Sequence, residues 1–88
     1  MILSSGDITT SYSTLGLVYG SQTTEGDFDY EGAVAQMQAV ARKESADAIL
    51  HIGFNERSAI GSKQVCFSNE AVTLFEVRCW GTMVKTDR

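Results

Sequence analysis

The chain has 88 residues, of which 43% are hydrophobic and 20% charged, and its net charge is −4. This length predicts one domain over residues 1–88, and the composition excludes a disordered chain. The acidic balance excludes a nucleic-acid partner, because phosphate binding needs a basic patch, and no apolar run approaches the roughly 20 residues of a membrane span. Residues 1–6 carry neither the basic nor the apolar region of an export signal, so we expect a cytoplasmic protein without a membrane partner.

The first half of the chain predicts a strand followed by a helix. After a short apolar stub, residues 12–19 are rich in aromatic and β-branched types, which favours a strand. Gly16 inside this strand indicates a bulge or a close backbone approach. Apolar residues then recur with helical spacing over 29–45, and Asp27 or Asp29 can cap the start of this helix. This is the one helix that the pattern predicts.

The second half of the chain predicts strands only. Residues 48–54 form a nearly continuous apolar strand directly after the helix. We expect a turn at 61–62, a short strand at 64–67 and a break at 68–70. A last strand, over about 71–85, completes the predicted sheet.

The predicted sheet has apolar residues on both of its faces, although one helix can cover only one of them. Strict alternation along the strands places four large side chains on the uncovered face. A contiguous apolar patch of this kind usually marks an interface, so we expect the protein to associate with itself through this face. The expected interface residues are Ile49, Val72, Leu74 and Trp80.

Three short motifs resemble those of the YbjQ-like family, which is also labelled a heavy-metal-binding domain family. Residues 16–20 read Gly-Leu-Val-Tyr-Gly and resemble the Gly-Val-Val-x-Gly strand of that family. Residues 46–49 read Ala-Asp-Ala-Ile and resemble its junction between helix and strand. Residues 81–85 read Gly-Thr-Met-Val-Lys and resemble its closing Gly-Thr-Ala-Val-Lys. The motifs occur in the family's order, and the resemblance spans about residues 12–86.

The resemblance implies an α+β subunit with a small mixed or antiparallel sheet and one main helix packed on one face. It also implies a ring-like homo-oligomer, commonly a pentamer, whose function is uncharacterised. We therefore expect a small oligomeric binding or assembly module, with copies of itself as partners. Two features depart from the family pattern: the helical region before residue 46 is short, and the segment 55–71 is long.

The alternative is a protein that binds a soft metal or metalloid ion through Cys and His side chains. The available ligands are Cys66, Cys79 and His51, and a soft divalent metal is the cofactor that they would take. A closed zinc site needs four ligands with a short-spaced pair, which one subunit lacks, so the ligands would meet at or near subunit interfaces. The simpler interpretation makes Cys79 a small buried hydrophobe facing the helix, Cys66 a residue packed under a loop, and His51 an ordinary sheet or interface residue.

Other patterns favour no further chemistry. Residues 27–32 begin like a calcium loop, but the twelfth position is Gln38, within the predicted helix, where such a site needs a glutamate. Glu76 and Arg78 lie two residues apart on one strand face and can pair with neighbours across a subunit boundary. No nucleophile has a positioned base, and residues 16–20 lack the ending of a phosphate loop, so we expect no enzyme.

Overall fold

The computed structural model describes residues 1–87 and contains one helix and four strands in this part of the chain. One mixed sheet has the strand order β1-β3-β4-β2, in which β1 is parallel to β3 and the other neighbours are antiparallel. The helix packs on one face, so the predicted α+β class is confirmed. The elements in chain order are β1 (Ile2–Leu3), β2 (Tyr12–Thr24), α1 (Tyr30–Lys43), β3 (Ala48–Val65) and β4 (Ser68–Thr86).

The helix begins and ends through local hydrogen bonds. At its start, the Asp29 carboxylate accepts a hydrogen bond of 2.9 Å from the backbone N–H of Gly32, which confirms the predicted cap. At its end, Ser45 takes a left-handed φ of +60°, and the N–H of Ala46 donates to the carbonyl of Ala41 at 3.0 Å. These bonds satisfy carbonyl groups of the last turn and direct the chain straight into β3.

The main core lies between α1 and the sheet. The helix sits directly on β2, because a Cβ atom at Gly20 would overlap the carbonyl oxygen of Ala33. Gly20 therefore sets how closely the two backbones approach. The buried residues of this core are Val18, Ala33, Met37, Ala41, Ile49, Val77, Cys79 and Met83.

A smaller core lies on the opposite face, at the end of the sheet that carries β1. Ala48, Leu50 and Val84 are fully buried there, and Ile8 and Tyr12 pack over them. The segment before β2 therefore covers part of the face that the sequence analysis left uncovered.

A bulge in β3 moves Ile49 into the main core. Between Leu50 and Gly53, β3 has one residue more than β4, and His51 takes a φ of +55°. The extra residue reverses the alternation of side chains, so Ile49 pairs with Met83 under the helix and is fully buried. The predicted position of Ile49 on the uncovered face is therefore wrong, since strict alternation does not hold through a bulge.

The segment that begins with β1 supplies hydrogen bonds along this bulge. The N–H of Ser4 donates to the carbonyl of Ile49 at 3.0 Å, and the N–H of Ile52 donates to the carbonyl of Ser4 at 3.1 Å. The N–H of His51 donates to the carbonyl of Gly6 at 3.1 Å. The irregular stretch of β3 is thus held by a neighbouring segment where its pairing with β4 is interrupted.

β3 and β4 form one long hairpin. Val65 pairs with Ser68 across a two-residue turn, and Cys66 takes a φ of +55° in that turn. The predicted turn at 61–62 and the predicted break at 68–70 are wrong, because the strands continue through both positions. The short strand predicted at 64–67 corresponds to the last two residues of β3 and the two residues of the turn.

The outer part of the hairpin projects as a two-stranded ribbon, which we define as residues 59–74. We call the rest of the described chain the body. β2 ends opposite Phe75, so within residues 1–87 the two strands of the ribbon pair only with each other. The protein measures 59 × 22 × 16 Å and has a radius of gyration of 16.7 Å. A compact domain of this length would have about 12 Å. No helix within residues 1–87 combines the length and the apolar character that a membrane span requires.

Candidate functional site

The face of the sheet opposite α1, beyond the part that Ile8 and Tyr12 cover, is the open face. The strand register shows which side chains lie on it. Val18 is buried under α1, so the next residue, Tyr19, and its cross-strand partner Trp80 point to the opposite face. Tyr19 is 65% and Trp80 41% exposed, so this face presents large aromatic surfaces to solvent. The large apolar side chains of the open face are Leu17, Tyr19, Val72, Leu74 and Trp80.

The open face contains three of the four residues that the sequence analysis assigned to an interface. Trp80 lies on the body, whereas Val72 and Leu74 lie on the ribbon and are half-buried there. Sequence reasoning missed Leu17 and Tyr19. Leu17 and Tyr19 lie two positions apart in the strand predicted at 12–19, so both point to the face opposite Val18. This spacing was the signal that could have found them.

Trp80 is held against the backbone of β3. It lies directly opposite Gly53, and a Cβ atom at Gly53 would come within 2.6 Å of two indole carbon atoms. The glycine therefore lets the indole ring lie flat across the neighbouring strand. Tyr19 is the direct cross-strand neighbour of Trp80 on β2, and we call this pair of aromatic side chains the aromatic wall.

A charged cluster lies next to this aromatic wall. One carboxylate oxygen of Glu76, Oε1, lies 2.7 Å from Nε of Arg57 and 3.2 Å from Nε of Arg78. The sequence allowed Glu76 and Arg78 to pair with neighbours across a subunit boundary; within this chain Glu76 pairs with Arg57 and Arg78. Arg57 could not be found from the sequence, because the position of the turn decides which residue of β3 lies opposite Glu76.

The charged cluster and the aromatic wall border a cleft with a volume of about 530 Å³. It is neither wholly apolar nor closed: it offers a guanidinium group, a carboxylate, amide and hydroxyl groups, and two aromatic rings. The side chains that line it include Tyr19, Ser21, Gln36, Asn55, Glu76, Arg78 and Trp80.

The three predicted metal ligands do not meet within one chain. Cys79 is buried in the main core, which confirms its role as a small hydrophobe, and burial raises the pKa of its thiol. Cys66 is exposed in the hairpin turn, so the expectation that it packs under a loop is wrong. About twelve residues of extended strand separate it from the level of Cys79, a distance of about 40 Å. His51 is exposed at the bulge, and residues 1–87 contain no group of three side chains that could hold a metal ion.

A second polar group lies near the bulge. The Asp7 carboxylate accepts hydrogen bonds from the backbone N–H of Ile8 at 2.7 Å and from the Tyr12 hydroxyl at 2.8 Å. These two bonds lower the pKa of Asp7, and the charge of nearby His51 lowers it further. The same bond to Asp7 raises the pKa of Tyr12, because the carboxylate stabilises the protonated phenol. This group holds the segment before β2 over the smaller core.

Comparison with known proteins supports the fold. No family model matches the chain, and no curated protein matches it in sequence. Among solved structures, it is similar to the crystal structure of a protein of unknown function from Pediococcus pentosaceus that belongs to the DUF74 family. The TM-score is 0.71 at 16% identity, over 99% of this chain and 98% of that chain. DUF74 is the YbjQ-like family, so the solved structure has the fold that the three motifs imply.

Proposed function

We propose that this chain is a YbjQ-like protein and one subunit of a cytoplasmic homo-oligomer that acts as a binding or assembly module without catalytic activity. The observation that carries the proposal is the ribbon, residues 59–74, which extends from the body as two strands alone. An isolated two-stranded hairpin is at best marginally stable in water, so a third surface has to cover it. The occupant that we propose is the body of a second copy, at its open face.

The side chains of the ribbon support this choice of occupant. Phe67 in the turn is completely exposed. Val72 and Leu74 add apolar surface on the open face, which continues along the sheet to Trp80. Within the described residues, the outer edges of the ribbon strands are unpaired, and such edges readily pair with another chain.

A ring is the form of assembly that we favour. The ribbon and the body of one chain are different surfaces, so a contact between them is head-to-tail, and such contacts close into rings when the rotation allows it. A pentamer is the favoured size, because the three motifs resemble those of a family whose rings are commonly pentamers. The likeness of fold to a DUF74 protein supports this proposal.

Native mass spectrometry and light scattering test the assembly. We expect a discrete species with five times the 9.6 kDa mass of one chain. Leu74→Glu introduces a charge on the open face of the ribbon and should dissociate it, whereas Trp80→Ala should weaken it while the subunit stays folded. A stable monomer at tens of micromolar would overturn the proposal.

Thr73→Glu is the matched control for Leu74→Glu. It adds the same charge at the next position of the same strand, where the side chain is exposed on the helix side of the ribbon. It should leave the subunit count unchanged. If Thr73→Glu dissociates the assembly and Leu74→Glu does not, the contact uses the other face of the ribbon.

The metal-binding alternative depends on Cys66. Within residues 1–87, it is the only exposed cysteine, and a ring would bring one copy from each subunit toward the same axis or interface. Under this alternative, added soft divalent metal would increase the native mass of the assembly. Cys66→Ser would abolish that increase and Cys79→Ser would not, because the second thiol is buried and its pKa is raised. Metal binding that survives Cys66→Ser would overturn this alternative.

A further inference from the structure

The charged cluster beside the cleft, which consists of Arg57, Glu76 and Arg78, has more positive than negative charge. Arg57 and Arg78 both approach Glu76, and the contact of Arg57 is the shorter, at 2.7 Å against 3.2 Å. No other acidic residue in the described chain forms an ion pair with either arginine. The group of three therefore has a charge of +1, although the whole protein has −4.

Arg78 is the group from which this charge faces the cleft. Its side chain is 58% exposed and belongs to the lining, and Arg57 compensates the carboxylate beside it. The contact with the mostly buried Glu76 is made through Nε of Arg78, at 3.2 Å, so the other N–H groups of the exposed guanidinium can bind an incoming anion. The planar guanidinium fork is also the side chain best suited to bind a carboxylate or phosphate group through two N–H bonds.

The aromatic wall gives the same cleft a surface for a flat ring. The indole of Trp80 is fixed against Gly53, so its orientation is set before any ligand arrives. Tyr19 also lines the cleft, and Ser21 and Asn55 add polar groups to the lining. The volume of about 530 Å³ lies within the range of small-molecule sites, about 300–1,000 Å³.

We propose that this cleft binds a small aromatic acid, with the acid group on Arg78 and the ring against Trp80. All lining residues of the cleft belong to one chain, so the proposal does not rest on the assembly, but it requires that a second copy contacts Trp80 only outside the cleft. It assigns a ligand class to the binding role proposed above: an organic anion that has both a negative charge and a flat ring. An anion without a ring would lose the aromatic contact, and a neutral ring would lose the charge.

Tryptophan fluorescence tests the proposal on the intact protein, because Trp80 is the single tryptophan of the chain. Benzoate is the probe, benzamide is its neutral counterpart and acetate its counterpart without a ring. We expect a saturable change of Trp80 fluorescence with benzoate, and binding weaker by about tenfold or more for the other two. Added salt should weaken benzoate binding, since the contact depends on charge.

Two substitutions should change the affinity for benzoate in opposite directions. Arg78→Gln removes the anchoring charge and should weaken binding by about tenfold. Glu76→Gln removes the competing carboxylate and should strengthen binding severalfold. Arg42→Gln is the matched control, because Arg42 is exposed on α1, outside the cleft, and should bind benzoate like the wild type. A merely structural role of Glu76 and Arg78 would weaken binding in both variants.

Three results would overturn the proposal: no saturable change with benzoate, equal binding of benzamide, or an equal loss in Arg42→Gln and Arg78→Gln. If Arg78→Gln instead changes the subunit count in native mass spectrometry and benzoate does not bind, the neighbouring subunit occupies the cleft. That result also overturns the small-ligand proposal. Failure of benzoate binding in an intact oligomer leaves the assembly proposal standing, and benzoate binding by a monomer leaves only the ligand proposal standing.

Discussion

At the scale of single residues, three positions other than glycine within residues 1–87 have a left-handed backbone, and each lies where an element ends or its alternation breaks. Ser45, His51 and Cys66 all have φ between +55° and +60°. They lie at the end of the helix, at the bulge of β3 and in the hairpin turn. These three residues are therefore held in the left-handed region, which is unfavourable for a side chain.

The two cysteines should differ sharply in reactivity. Cys66 is exposed in the turn, whereas Cys79 is buried and its burial raises the pKa of the thiol, which leaves little thiolate to react. In a native protein treated with a chromogenic disulfide reagent near pH 8, we expect one thiol per chain to react rapidly. The second should react only on unfolding. Cys66→Ser should remove the rapid phase, and its persistence would contradict the placement of Cys66.

The bond between Tyr12 and Asp7 should be visible in an acid titration. The pKa of Asp7 is lowered in the folded protein, so its contribution to stability is present above the ordinary pKa of an aspartate and is lost as the pH falls through the lowered value. Tyr12→Phe removes one of the two bonds and should raise the pKa of Asp7, measured by NMR titration of its carboxyl carbon. Tyr30→Phe, the control, should leave it unchanged, and a similar shift in both variants would contradict the assignment.

At the scale of elements, the helix and the strand identities could be predicted, but the hairpin register could not. Apolar spacing and Asp29 were enough to place α1, since both signals are local. The hairpin turn places Cys66 in the left-handed region, and cysteine is not a residue type that ordinarily indicates such a position, so the sequence did not predict this turn. The bulge at His51 reverses the alternation of side chains along β3, which places Ile49 in the main core. The candidate cleft was out of reach for the same reason, because the register brings Arg57 to Glu76.

A substitution at Gly20 tests whether the close approach of α1 and β2 contributes to stability. A Cβ atom there would overlap the backbone carbonyl of Ala33, which cannot move as a flexible side chain can. We expect Gly20→Ala to lower the free energy of unfolding by about 1–3 kcal/mol, the usual range for an overpacked core. Urea denaturation measures this value. Gly26→Ala is the matched control, since nothing lies within 4 Å of its Cβ position, and an equal loss in both variants would show that close packing is not the cause.

At the scale of the whole molecule, the body and the ribbon have different sources of stability. Both buried cores lie in the body, and neither includes a residue of 60–73. Aromatic rings hold the base of the hairpin: Phe28 lies 5.1 Å from Phe75, and Tyr30 lies 5.6 Å from Phe54, both edge to face. Beyond that base, the ribbon has its own strand pairing, an exposed ion pair of 3.0 Å between Lys63 and Glu25 of the body, and the partner that we propose.

A variant with a shortened hairpin tests separately what the body and the ribbon contribute to folding and to assembly. Replacing residues 60–73 by Asn-Gly closes the hairpin at the existing pair of Ala59 and Leu74 with a favoured two-residue turn. Because both cores remain, we expect circular dichroism to show a folded protein with its helix. Because the ribbon is gone, native mass spectrometry should find a monomer, while full-length Thr73→Glu under the same conditions should remain assembled. A shortened chain that keeps the full subunit count would assign the assembly to the body, and one that unfolds would show that the ribbon stabilises the subunit itself.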